Sequence, residues 1–282
     1  MSPLIVNTVL IPLGLGLILG LALGRKSGPN WLNPVLAGAA VLAVYVLLEG
    51  VPHLPPVSAK QKLFPLICAA LPVSCLALAP GVMTPSARVL RRAVIPAYLM
   101  LTLLWFGLTK LTQGAGSAQA VWLLLAPVAA SLWSQPQTCG TAPSQSYLWP
   151  AALLVYAVNM AVLSLFGGFV GFAQVLGAQA ALLGGALLIR YLTERLGKDP
   201  AVFSTATLNV FLMTLCATAL LVGLFAPKIS LPAFALSALV LCVPAVVPRL
   251  QTWPAALRPF AFGVMAAAPA AASILAATSL VH

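Results

Sequence analysis

Long apolar runs separated by short polar or proline-rich breaks recur along the whole chain. The runs are about 17–26 residues long and lack the two-residue alternation of an outer-membrane barrel, so they predict helices. Ten such runs fall at about 3–24, 31–50, 63–80, 93–112, 117–134, 147–166, 169–192, 201–226, 231–247 and 255–280. About 20 apolar residues in a helix cross the hydrocarbon core of a bilayer. The pattern therefore predicts an all-α integral membrane protein, a helical bundle of about ten transmembrane helices. Gly167-Gly168 leaves open whether the sixth and seventh runs are two helices or one bent element. The ninth run is short and carries Pro244, with Pro248 just beyond it. No basic residue precedes the first run, which predicts that residues 1–24 remain as a helix instead of being cleaved. Asp199-Pro200 and Ser2-Pro3 read as caps followed by proline at a first helical position.

The longest polar stretch, SQPQTCGTAPSQSY at 134–147, carries no charge. It divides the chain into a first five-helix half (1–134), a polar linker (135–146) and a second five-helix half (147–282). An odd number of spans per half sets the halves in opposite orientations, the arrangement of inverted-repeat transporters. Pro12 and Pro150, Pro96 and Pro232, and Pro127 and Pro269 fall at similar offsets, but no longer residue-level repeat accompanies them.

Composition supports the lipid reading. Hydrophobic residues make up 62% of the chain and charged residues 6%, against roughly 25% charged in a soluble domain. The net charge of +11 comes from 14 basic and 3 acidic residues. In a soluble protein that balance would suggest nucleic acid. Here the basic residues lie between apolar runs, where they set orientation and touch anionic headgroups, so lipid is the expected partner and nucleic acid is not. With the N-terminus outside, 10 of the 14 fall on the inner side: Arg25, Lys26, Arg88, Arg91, Arg92, Arg190, Arg195, Lys198, Arg249 and Arg258. The positive-inside rule then predicts a multi-pass protein of a bacterial-type inner (plasma) membrane with both termini outside. Arg88, Arg91 and Arg92 read as lipid-anchoring. The cysteines Cys68, Cys75, Cys139, Cys216 and Cys242 show no metal spacing, and Cys68 and Cys75 lie two turns apart, too far to bridge.

Two stripes of small residues repeat every four positions: Gly16, Gly20 and Gly24 in the first run, and Ala173, Gly177, Ala181 and Gly185 in the seventh. Such stripes let a second backbone approach closely. They predict helix packing within the chain, with a homodimer or partner-subunit contact as the sharper alternative.

Ionisable candidates are few. The stretch LLEGVPHLPPVSAKQKL (47–63) holds Glu49 and His53. Its main reading is a helix exit with Glu49 paired to Lys60 or Lys62; the functional reading is an external gate built on Glu49 and His53. Deeper in the runs lie only uncharged groups, among them Asn159, Gln174, Gln179 and Asn209. Buried amides need partners, since lipid offers none. Interhelical hydrogen bonds explain them; the functional alternative is a substrate cavity lined by Asn159, Gln174 and Asn209. Gln174 and Gln179 stand about 140° apart around the helix axis, so they serve different faces.

No P-loop, zincin, nucleophile-elbow, diphosphate-binding or haem pattern occurs. Three carboxylates cannot supply both acid–base catalysis and metal ligation, so neither an enzyme nor a cofactor is expected, and no catalytic or metal-binding residue is assigned. Two function classes remain. One is a transporter or flippase for an uncharged or amphipathic small molecule. The alternative is a non-catalytic structural or assembly subunit of a larger membrane protein complex.

Overall fold

A computed structural model describes residues 3–24, 31–53, 56, 58, 60–76, 85–112, 148–196, 203–226, 231–246 and 258–278. The described chain is helical, with no strand among these residues. The first run forms a short helix, Pro3–Ile5, a π-helical turn, Val6–Leu10, and α1, Ile11–Leu23. Then follow α2 (Leu32–Glu49), α3 (Leu63–Leu76), α4 (Pro85–Thr112), α5 (Leu148–Phe166), α6 (Val170–Arg195), α7 (Thr205–Phe225), α8 (Leu231–Leu239) and α9 (Arg258–Thr278). A 3-10 turn, Val240–Cys242, and a last helical turn, Val243–Val246, continue α8. The expected span at 117–134, the linker at 135–146, Cys139 and Asp199-Pro200 lie outside the described residues. Each of the other nine expected spans falls on a helix.

Five helical stretches are long and apolar enough to cross a membrane: Val6–Leu23, Leu32–Glu49, Leu148–Phe166, Val170–Arg195 and Thr205–Phe225. Large apolar side chains stay exposed on the outside of the bundle, including Ile18, Leu21, Leu101, Trp105, Leu188, Val264 and Leu275. An all-helical bundle with such a surface associates with a membrane.

The centre is α7. Every residue from Ala206 to Val222 is buried, and α2, α3, α4, α5 and α6 all pack against it. Its start is set by Ser204, whose Oγ accepts from the Thr207 backbone N–H at 3.2 Å, a side-chain N-cap. Its buried hydroxyls are satisfied within the helix. Thr214 donates to the Val210 carbonyl at 2.9 Å and Thr218 to the Thr214 carbonyl at 2.9 Å. A helix with its polar groups closed in this way can be covered by protein on all sides.

α6 is the second organising element. It follows α5 through a tight turn in which Phe169 N–H donates to the Ser164 carbonyl at 2.8 Å. Gly168 there has φ +80°, a left-handed conformation open to glycine and strained for other residues. The open question at Gly167-Gly168 is thus settled as two helices joined by a turn, packed side by side. Along its other side α6 receives α1. A methyl at Gly16 would strike the Leu182 carbonyl oxygen, and one at Gly185 would strike the Leu13 carbonyl oxygen. A Cβ at Gly20 would sit 2.8 Å from Ile189 Cβ. These three glycines of the predicted stripes thus serve a backbone-to-backbone contact inside the chain. A Cβ at Gly177 would lie 3.8 Å from Thr8 Cγ2, in ordinary contact. Ala173 is buried, Ala181 half-buried, and Gly24 exposed at the end of α1.

The two sequence halves are interleaved rather than separate. α1 lies on α6, and α2, α3 and α4 lie on α7. Among the described helices their packing also differs. In an inverted pair of halves, α1 on α6 would be matched by α5 on α2, and those two have no comparable contact. α8 and α9 instead pack on each other and on α5.

The α1–α6 contact yields a test. Replacing Gly16 with Leu should lower the thermal midpoint of the detergent-purified chain, by the roughly 1–3 kcal/mol that overpacking costs. Gly14→Leu is the control: nothing lies within 4 Å of a Cβ at Gly14. It should leave the midpoint nearly unchanged. Equal effects from the two would contradict the packing described.

Candidate functional site

An ion pair closes the end of α2. Gly50, with φ +76°, terminates the helix, its N–H donating to the Val46 carbonyl at 2.9 Å. Glu49 is left as the last helical residue, at the bundle edge. The chain returns at residue 60, just before α3. Lys60 Nζ lies 2.9 Å from Glu49 Oε1 and 3.1 Å from Oε2. The Glu49 side chain is 18% exposed and that of Lys60 43%. Of the two lysines that the spacing allowed, the structure uses Lys60; Lys62 is half-buried and takes no part in this pair.

Further contacts hold this pair, one to α2 and two to α6. The Tyr45 hydroxyl donates to the Lys60 backbone carbonyl at 2.9 Å, fixing the lysine backbone to α2. The Lys60 ammonium stands 5.9 Å from the centre of the Phe172 ring. A Cβ at Gly171 would run into Lys60 Nζ and would sit 3.4 Å from Glu49 Oε1. The missing side chain at Gly171 is therefore what admits the pair to the first turn of α6. Tyr45 also packs on Phe64 of α3, ring centres 6.0 Å apart. The cluster ties α2, the α2–α3 connection and α6 together at one end of the bundle.

Its strength is modest. A partly exposed ion pair gives roughly 0.2–1 kcal/mol, and a partly exposed lysine beside an aromatic ring about 0.5–1 kcal/mol. The sum is on the order of 1–2 kcal/mol. Such a contact can break while the bundle stays folded, which is what a gate needs.

His53 is exposed and makes none of these contacts. The side chains of Arg88, Arg91 and Arg92 lie outside the described set, though their helix is described. The expected cavity residues do not meet through hydrogen bonds among the described residues. Asn159, 2% exposed, turns to α9: its Nδ2 donates to Ser273 Oγ at 2.8 Å. That hydroxyl lies 3.0 Å from Asn159 Oδ1 and 2.7 Å from the Ala270 carbonyl. This amide is spent on joining α5 to α9. Gln174 is half-buried on α6, and Asn209 is buried on α7.

The residue that sequence reasoning passed over is Gln179. It is 1% exposed, and its Oε1 has no hydrogen-bond partner in the described structure. Leaving a buried acceptor unmatched costs about 1–3 kcal/mol. The available signal was the phase difference from Gln174: Gln179 shares a helical face with Phe172 and Arg190, both buried, while Gln174 does not. No groups of three or more histidine, cysteine, aspartate or glutamate residues that could hold a metal occur among the described residues. No protein-family model, curated protein or solved structure matches the chain.

A double-mutant cycle tests the cluster. Glu49→Gln and Lys60→Met should each lower the thermal midpoint slightly, and the double variant should lose less than their sum. The expected coupling is about 0.5–1 kcal/mol. Gly171→Val should abolish it by occupying the ammonium's place. Strict additivity would show that the pair does not act as a unit.

Proposed function

We propose that the chain is a carrier, a transporter or flippase for an uncharged or amphipathic small molecule, spanning a bacterial-type inner (plasma) membrane about ten times. The observation that carries this reading is the Glu49–Lys60 pair, seated on Gly171 at one end of the bundle. It joins the end of α2 to the α2–α3 connection, and Lys60 in turn rests beside Phe172 and Gly171 of α6 weakly enough to open. In the orientation favoured by the basic residues, with both termini outside, this end faces out and the pair is an external gate. The buried polar groups Asn159, Gln179, Asn209 and the hydroxyls of α7 are uncharged, and the buried Arg190 lies toward the far end of α6. Glu194, the other described carboxylate, is exposed at the far end of α6. A neutral or amphipathic cargo is the class such an interior accommodates without a counter-charge.

Proline breaks add support. Pro72, Pro96 and Pro269 lie inside α3, α4 and α9, where they free carbonyls and soften the helices. The two five-helix halves of this reading have opposite orientations through their odd span count, although their described packing differs. The alternative, a structural subunit, drew on the small-residue stripes as partner surfaces; Gly16, Gly20 and Gly185 are instead occupied within the chain.

The test compares small molecules in cells and medium for three strains of the source organism: a deletion, the deletion restored with the wild type, and the deletion restored with Gly171→Val. One or a few neutral or amphipathic compounds should redistribute on deletion and return with the wild type. Gly171→Val, whose side chain takes the ammonium's place at the first turn of α6, should return them less fully. Unchanged distribution in the deletion strain contradicts the reading.

A further inference from the structure

Three buried residues of α6 recur on one face: Phe172, Gln179 and Arg190, at intervals of seven and eleven residues. They are spread over about 27 Å of helix at 1.5 Å per residue. The face is turned into the bundle, since Val175, Leu183 and Ala186 beside it are also buried, whereas Val170 and Leu188 on the opposite side are exposed. The Glu49–Lys60 pair stands over the Phe172 end. Gln179 lies about two turns below it, with an acceptor that nothing in the described structure satisfies.

Many other buried polar side chains in the bundle are closed: Asn159 on Ser273, Ser74 on the Ala70 carbonyl, Ser164 on the Met160 carbonyl, and Thr214 and Thr218 on α7 carbonyls. Lipid supplies no hydrogen bonds, so an unmatched acceptor in the interior is a place prepared for a donor that comes from elsewhere.

We infer that Gln179 is the seat of the cargo, and that the cargo is a small neutral molecule bearing a hydroxyl group. This rests on the carrier reading and names its substrate class. The hydroxyl donates to Oε1, and the same oxygen can accept from the Gln179 amide, so a single alcohol group answers both ends of the side chain. A charged group at this depth would need a counter-ion; no carboxylate is buried among the described residues, and the buried Arg190 stands eleven residues, about 16 Å, farther along the helix. The molecule enters past the Glu49–Lys60 pair and lies along the Phe172–Gln179 face.

The test uses the full-length chain, extracted gently into nanodiscs of its native lipid. Wild type, Gln179→Leu and Gln179→Met are melted to confirm folding, then extracted with organic solvent, and the neutral species are quantified by mass spectrometry. Both variants should melt at or above the wild-type midpoint, because the orphan is gone. The wild type should hold a neutral hydroxyl-bearing species at least tenfold above either variant and above membranes lacking the chain. Equal retention in a folded variant overturns the inference, as does a wild type holding no such species, which leaves an internal water as the only occupant. The carrier reading fails or stands separately. A retained alcohol with no redistribution in the deletion strain keeps the site and removes the transport. Redistribution that Gln179→Leu restores as fully as the wild type keeps the transport and removes the site.

Discussion

A helix bundle in lipid has no water with which to satisfy a buried polar group, and the whole arrangement follows from that constraint. α7 can occupy the centre because its threonines return their hydroxyls to carbonyls of their own helix. Polar groups without that option reach across. The Tyr98 hydroxyl donates to the Leu66 carbonyl at 3.0 Å, tying α4 to α3. Asn159 reaches Ser273 and ties α5 to α9. The Ser237 hydroxyl lies 3.0 Å from Met160 Sδ, between α8 and α5. Hydrogen bonds thus serve as the cross-links of the bundle, and an amide left outside this scheme, as at Gln179, stands out.

Close packing supplies the rest of the framework. In lipid the hydrophobic effect does not drive helices together, so dispersion contacts between approaching backbones carry more weight. Gly16 and Gly20 against Leu182, Gly185 and Ala186 bring α1 onto α6 with almost no side chain between them. Gly38 of α2 instead receives the Leu71 side chain of α3. α6 is therefore held along one side by tight backbone packing, and at its first turn by the Lys60 ammonium beside Phe172. The first contact is a fixed framework and the second is a part that can move.

Much of the element pattern was legible in the chain. The apolar runs located most of the described helices to within a few residues, because length and hydropathy suffice to mark a helix in lipid; α4 begins at Pro85, eight residues before its run, in the arginine-bearing segment that hydropathy leaves out. Of the small-residue stripes, Gly16, Gly20 and Gly185 lie in a close contact, whose partner helix the spacing did not name. Helix-to-helix assignments were out of reach. When nearly every helix is apolar on all sides, periodicity no longer distinguishes an inner face from an outer one, and nothing in the sequence marks α7 as the central helix. The amides show the same limit. Asn159 was read first as an interhelical hydrogen-bonding amide, but its partner, 114 residues away, could not be named. Gln174 and Gln179 differ in helical phase, but choosing the inward one required knowing where the neighbours of α6 lie. The sequence left Lys60 and Lys62 as equal partners for Glu49, and the room that Gly171, more than 100 positions downstream, leaves for the Lys60 ammonium could not be foreseen.

Native mass spectrometry of the tagged chain, extracted gently from its own membranes, tests the central claim most directly. A self-contained carrier predicts the chain alone or paired with itself, accompanied by a retained neutral small molecule. A stoichiometric complex with a different membrane subunit, and no small molecule, would contradict it.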